Sequence, residues 1–170
     1  LTEMLFALGL GDRVVGVTEH CVWPEEAKRR PKIGDYALPD LEKILALRPD
    51  LVVTIKDASS PRPIEILTAA KIPVVVFETT NLTTIFQTIE RMGKIFRVEE
   101  NAQALIATMK QRLDTLALKT TGRSLPKTLV VVQRRPLIVA GPNTFISELV
   151  QTVGGRNIVP TGGLAYPHLS

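Results

Sequence analysis

The chain has 170 residues, enough for one ordinary domain or two small lobes. Hydrophobic residues make up 45% and charged residues 22%, which excludes wholesale disorder. The net charge of +4 is scattered apart from Lys28, Arg29, Arg30 and Lys32, and only 5% of residues are aromatic, so a nucleic-acid stacking platform is excluded.

In chain order, Leu1, Met4, Leu5 and Leu8 share one helical face, ended by Gly9 and Gly11. Val14, Val15 and Val17 predict a short buried strand. Lys28 to Arg30, before Pro31, reads as a solvated helix end. Asp40 is a good N-cap for a helix carrying Leu41, Ile44 and Leu45, which Pro49 stops. Leu51 to Val53 is the next strand, Ile64 and Leu67 mark another helix, and Val74 to Phe77 is a third strand. Strand and helix alternating over short connections predict an α/β fold with a parallel sheet and helices on its faces.

From Leu82 the period changes. Ile85, Phe86, Ile89, Met92 and Phe96 form one apolar stripe; Ala102, Leu105, Ile106, Met109, Leu113, Leu116 and Ala117 form a second, with no Gly or Pro. A long uninterrupted helix between two strand-rich regions is a rigid strut. Lys119 to Lys127 is a polar loop. Thr128 to Gln133 and Leu137 to Ala140 read as strands, Gly141-Pro142-Asn143 as a turn, and Phe145 to Val153 as a helix ended by Gly154-Gly155. Three segments result: an N-terminal α/β lobe over 1–81, a helical connector over 82–120, and the start of a second α/β lobe over 121–170. Two strands and one helix are too little to close a second core, so that lobe is expected to be incomplete.

Enzyme signatures are missing. No phosphate loop or Gly-x-Ser-x-Gly elbow is present, and Gly9, Gly11 and Gly16 are spaced wrongly for a dinucleotide fingerprint. A nucleophile pair of Cys21 with His20 is disfavoured, because adjacent side chains in an extended segment point apart. Cys21 is the only cysteine, so no internal disulfide forms. No catalytic residue, metal ligand or cofactor is assigned. No apolar run approaches the roughly 20 residues of a membrane span. The opening Leu1-Thr2-Glu3 lacks the pattern of a signal peptide; the protein is cytosolic, or its signal lies outside this sequence.

Ligands of parallel α/β sheets collect beyond the carboxyl ends of the strands. Thr18 to Pro24 lies at such an end and holds His20, Cys21 and the only tryptophan, Trp23, which either staples the loop or faces a ligand. Tyr36, in the loop Ile33 to Pro39, is a packing plug or a planar surface for a ligand ring. Lys56 and Asp57, then Glu78, Thr79 and Thr80, outline a polar rim. Glu42 sits in the first turn of its helix, where the plain reading is dipole stabilisation of about 0.3–1 kcal/mol.

Four stretches, "LTEMLFALGLGDRVVGVT", "PKIGDYALPDLEKILALRPDLVV", the helix with "ENAQALIATM" and "GGRNIVP…YPHLS", resemble the helical-backbone (class III) solute-binding proteins of ABC importers for vitamin B12, ferric siderophores and haem. The resemblance covers essentially the whole chain in order. It implies two Rossmann-like lobes joined by a long helix, a metal chelate held in the cleft between them, and delivery to an inner-membrane ABC permease. It gives Glu42 the role of docking that permease. It makes Tyr36, His20 and, on the second lobe, Tyr166 ligand-facing aromatic positions, with Trp23 and Lys56 beside them. Ile55 stands where a B12 binder shows a tryptophan, and Asp35 where haem binders tend to place an iron-binding tyrosine. Arg134 and Arg135 suit an anionic siderophore. The expected location is the periplasm, or a lipid anchor on the outer face of the cytoplasmic membrane. The family's first strand precedes Leu1 and the rest of lobe two follows Ser170, so self-association of this chain is expected. The competing readings are a cytosolic α/β enzyme of chelatase type and a purely structural interaction domain.

Overall fold

The computed structural model describes residues 1–56, 61–122, 124–160 and 162–169, and it divides into two compact units. Asp57, a candidate for the polar rim, lies outside the described residues. Unit 1 comprises Leu1–Thr79 and Gln87–Leu105; unit 2 comprises Thr80–Phe86 and Ile106–Ser170.

Unit 1 starts with helix α1 (Thr2–Ala7), a single 3-10 turn over Gly11–Arg13, and the short helix α2 (Glu25–Lys28), at whose end the Lys28 cluster falls. Helix α3 (Leu41–Ala46) begins at Asp40, whose carboxylate accepts from the Lys43 backbone N–H at 3.1 Å. That cap satisfies one of the donors that every helix start leaves free. Strands β1 (Val52–Ile55) and β2 (Val74–Phe77) pair in parallel, Val52 opposite Val74 through Ile55 opposite Phe77, with helix α4 (Pro61–Ala69) as the crossover. The parallel sheet expected from the alternation is therefore present.

Val14 to Val17 does not form the expected strand. Only Val17 bridges, in parallel, to Lys32: its N–H donates to Pro31 O, and its carbonyl accepts from Ile33 N–H, both at 3.0 Å. A short apolar run needs a ladder partner to become a strand, and Val14 and Val15 have none among the described residues.

Helix α5 (Leu82–Phe96) turns the first predicted stripe inward: Ile89 and Met92 are buried in unit 1, while Glu90 and Lys94 pair at 2.8 Å on the outer face. Arg91 stacks 5.3 Å from the Phe77 ring and donates to Val76 O, fastening α5 to β2. Arg97 takes a left-handed φ of 59°, which ends α5 and lets the chain restart at Glu99. Gly93 makes the junction possible, because a Cβ there would lie 2.7 Å from Ala102 Cβ. Helix α6 (Glu99–Thr120) runs unbroken for 22 residues, about 33 Å at 1.5 Å per residue. The 82–120 stretch thus holds two helices whose residues are shared between the units.

In unit 2, β3 (Lys127–Thr128) pairs in parallel with β6 (Arg156–Asn157), and β4 (Val131–Gln133) pairs antiparallel with β5 (Ile138–Val139). The two expected strands before residue 141 are thus three short ones, and β4–β5 is a hairpin because residues 134–137 are too few for a crossover. Helix α7 (Phe145–Thr152) is capped by Thr144, whose hydroxyl accepts from Ser147 N–H at 3.2 Å and donates to Gly141 O at 2.8 Å. Glu148 reaches the Leu82 backbone N–H at 2.7 Å, and Lys110 lies 5.4 Å from the Phe86 ring, so both α5's first turn and α6 belong to this packing. Among the described residues no helix is long and apolar enough to cross a membrane.

Candidate functional site

A cavity of about 330 Å³ opens in unit 1 beside β1, within the size range of small-molecule sites. Val17, Ile44 and Leu67, all buried, give it an apolar floor, and the residues of β1 form one wall. Its mouth carries His20, Trp23 and Tyr36. Trp23 is 65% exposed and Tyr36 56% exposed, a costly arrangement for large apolar rings that serve only packing.

Two loops place these side chains. Residues 18–21 form a turn closed by Cys21 N–H donating to Thr18 O at 3.1 Å, rather than the extended segment expected from the sequence. Lys32 ties the turn down by donating to Cys21 O at 3.0 Å. The second loop leaves at Gly34, which holds φ +86° and bridges Pro39; a Cβ there would meet Asp40 N at 2.8 Å, so only glycine fits. Asp35 then accepts from Ala37 N–H at 2.9 Å, a local side-chain turn that projects Tyr36 outward.

The loops are joined by His20 Nε2 and Asp35 Oδ2, 2.8 Å apart. The Ala37 N–H bond, followed by the His20 contact, holds the Asp35 carboxyl below the usual carboxylate range, so it is ionised at neutral pH and acts as acceptor. Facing an ionised acceptor, His20 Nε2 is the donor of this pair. Cys21 Sγ lies 3.1 Å from the hydroxyls of both Thr18 and Thr2. Burial pushes the thiol up, but the hydroxyl hydrogen bonds outweigh it and lower its pKa overall. His20 and Cys21 thus have separate partners, and the nucleophile pair does not form.

The remaining candidates lie elsewhere. Lys56 is exposed just past β1 and is not among the described residues lining the cavity. Glu42 is exposed on the first turn of α3. Tyr166, 46% exposed, belongs to unit 2, in a segment whose carbonyls at Ala165 and Pro167 accept from Gly141 and Val139 N–H groups. Arg134 and Arg135 are exposed in the β4–β5 turn. The Asp35 contact to His20 is not legible in the sequence, since 15 residues separate them and no local pattern links the two loops.

Comparison with known proteins adds a second line of support. A family model described as "Periplasmic binding protein" matches residues 1–170. A vitamin B12-binding protein of Yersinia pestis (strain Pestoides F) is 30% identical over 170 residues, covering 99% of this chain and 60% of that protein. Among solved structures, the periplasmic heme-binding protein RhuT from Roseiflexus sp. RS-1 is 29% identical at a TM-score of 0.89, and the periplasmic vitamin B12 binding protein BtuF of Vibrio cholerae is 27% identical at 0.84. Each alignment covers 99% of this chain and 66% of that structure. The chain therefore spans 60% of the length of the curated relative and 66% of each structure.

Proposed function

Because the chain belongs to the periplasmic binding protein family, matched along its whole length, we propose that it captures a metal chelate (a corrinoid, a ferric siderophore or haem) and delivers it to an ABC importer. The observation that carries this reading is the cavity mouth of unit 1, where two exposed rings and an imidazole stand on loops held by short hydrogen bonds. Ring faces of Trp23 and Tyr36 give area at low entropy cost, and the broad flat faces of corrinoid and porphyrin rings suit such surfaces. The relatives named above bind vitamin B12 or heme, which agrees with this class of cargo. The chelatase-type enzyme has no support in the family, and the proposed work involves no bond made or broken.

In this reading His20, Trp23 and Tyr36 contact the chelate, Lys56 and, from unit 2, Tyr166 supply further contacts, and Glu42 docks the inner-membrane permease. The proposed location is the periplasm, or a lipid-anchored position on the outer face of the cytoplasmic membrane. The test is an absorbance titration of the intact gene product with aquocobalamin, haemin and a ferric siderophore. One of the three saturates at one site, and Tyr36→Ala weakens that binding roughly tenfold, the worth of about 1.4 kcal/mol from a stacked ring. Failure of all three to bind, with the protein folded, contradicts the proposal.

A further inference from the structure

We propose, resting on the chelate-binding reading above, that the unit 1 site selects its cargo by charge: Glu3 and Asp35 favour a chelate whose rim carries N–H donors, amide or ammonium, over one whose rim carries carboxylates. Both residues act as specificity determinants at the cargo's periphery and leave its metal untouched.

Glu3, from the first turn of α1, and Asp35, from the 33–39 loop, both line the cavity. Glu3 is exposed and the Asp35 side chain is 40% exposed, so both carboxylates are open to solvent. Asp35 holds Ala37 N–H on Oδ1 at 2.9 Å and His20 on Oδ2 at 2.8 Å, contacts that keep it ionised at neutral pH. A carboxylate has about four acceptor positions, so Asp35 keeps capacity for a donor of the cargo. Glu3 forms no ion pair with a Lys or Arg among the described residues. Lys32, which ties down the 18–21 turn, has its ammonium on Cys21 O at 3.0 Å and Thr18 O at 3.4 Å. Lys56 stands exposed outside the described lining.

The aromatic rings act in the same direction. The face of a Trp or Tyr ring is the negative part of its quadrupole and attracts cations. Trp23 and Tyr36 line the same cavity, both exposed. A cargo rimmed with amides or an ammonium meets these carboxylates and ring faces as a donor. A cargo rimmed with carboxylates sets like charge against like. Two kinds of chelate carry the favoured rim: a corrinoid with carboxamide arms, and a hydroxamate siderophore with a free ammonium. Haem, with its propionates, lies on the disfavoured side.

The experiment titrates the intact gene product at mildly alkaline pH, where imidazoles are neutral, with haemin and two pairs of probes, each pair matched in its metal and ligand frame. The first pair is dicyanocobinamide, with carboxamide arms, and dicyanocobyrinic acid, with carboxylate arms. The second is ferrioxamine B, with its ammonium, and its succinyl-capped form, which ends in a carboxylate. The pair that binds identifies the cargo as corrinoid or siderophore. Within it, wild type should favour the amide or ammonium member roughly tenfold, each exposed carboxylate contributing about two- to fivefold. Glu3→Gln and Asp35→Asn should each narrow that ratio about two- to fivefold, and added salt should narrow it too. The Asn side chain keeps an acceptor for Ala37 N–H, so Tyr36 stays placed. A merely structural loss moves both members alike and leaves the ratio unchanged. Glu26→Gln removes an exposed carboxylate from outside the described lining and should leave the ratio at its wild-type value. Preference for the carboxylate member, binding of haemin alone, or a ratio that neither variant moves overturns the inference while chelate binding stands. Failure of every probe to bind the folded protein contradicts the chelate reading, and the selection with it.

Discussion

Replacing Glu42 by Arg in the intact gene product should abolish uptake of the chelate while leaving its affinity within about twofold of wild type. Glu42 lies exposed in the first turn of α3, and among the described residues it forms no ion pair. Its neighbours do: Asp40 caps the helix and holds Lys43 Nζ at 3.1 Å, so the local cation is already spoken for. The Glu42 carboxylate is left facing solvent. If it seats in a cationic pocket of the permease, removing one partner of such a pair costs about 2–5 kcal/mol, or roughly 30-fold or more in affinity for the transporter. Reversing the sign adds repulsion. A positive charge also opposes the helix dipole, by about 0.3–1 kcal/mol, so Glu42→Gln serves as the gentler companion. Uptake in whole cells and chelate affinity in solution separate the roles. Reduced affinity for the chelate would place Glu42 in the binding site instead, and unimpaired uptake would remove it from docking.

Phe77→Ala should destabilise unit 1 by about 3–5 kcal/mol in chemical denaturation. Phe77 ends β2, is 2% exposed, and carries the Arg91 guanidinium 5.3 Å from its ring. Truncation opens a cavity between sheet and α5 and removes the surface over which Arg91 reaches Val76 O. A loss of this size is a large part of the roughly 5–15 kcal/mol that a domain has in hand. Leu118→Ala is the control. That side chain is 76% exposed on α6, and its removal should change stability by no more than about 0.5 kcal/mol. Equal losses from both substitutions would mean that β2 and α5 are not packed as described.

The long elements were legible because their signals are local and repeated. The stripe through Ile85, Ile89 and Met92 fixed α5 and its buried face, and the Gly- and Pro-free run after Val98 fixed α6. Asp40 announced its helix by chemistry alone. Where the outcome depended on a distant partner, local pattern was insufficient. Val14 and Val15 read as a short buried strand but have no ladder partner among the described residues, and Val131 to Val139 folds back on itself because its turn is short. Thr144 was missed as a cap because Pro142 and Asn143 already marked the turn. At the site, position beyond a strand end picked out His20 and Trp23, and the Gly- and Pro-bounded loop before α3 picked out Tyr36; all three share one cavity. Position alone did not separate Lys56, which is not among the described residues lining that cavity, from these three, nor reveal that Asp35 holds His20. Those outcomes depend on Gly34's backbone angle and on the turn at residues 18–21, neither of which residue type alone determines.

Hydrogen exchange of the intact gene product, with and without the chelate that binds in the titration, reads the location of the site at the level of individual segments. Backbone amides of residues 18–24 and 33–39 should slow on saturation, while those of α3 after Glu42 stay unchanged. Protection that appears over α3 and spares both loops would contradict the site described here.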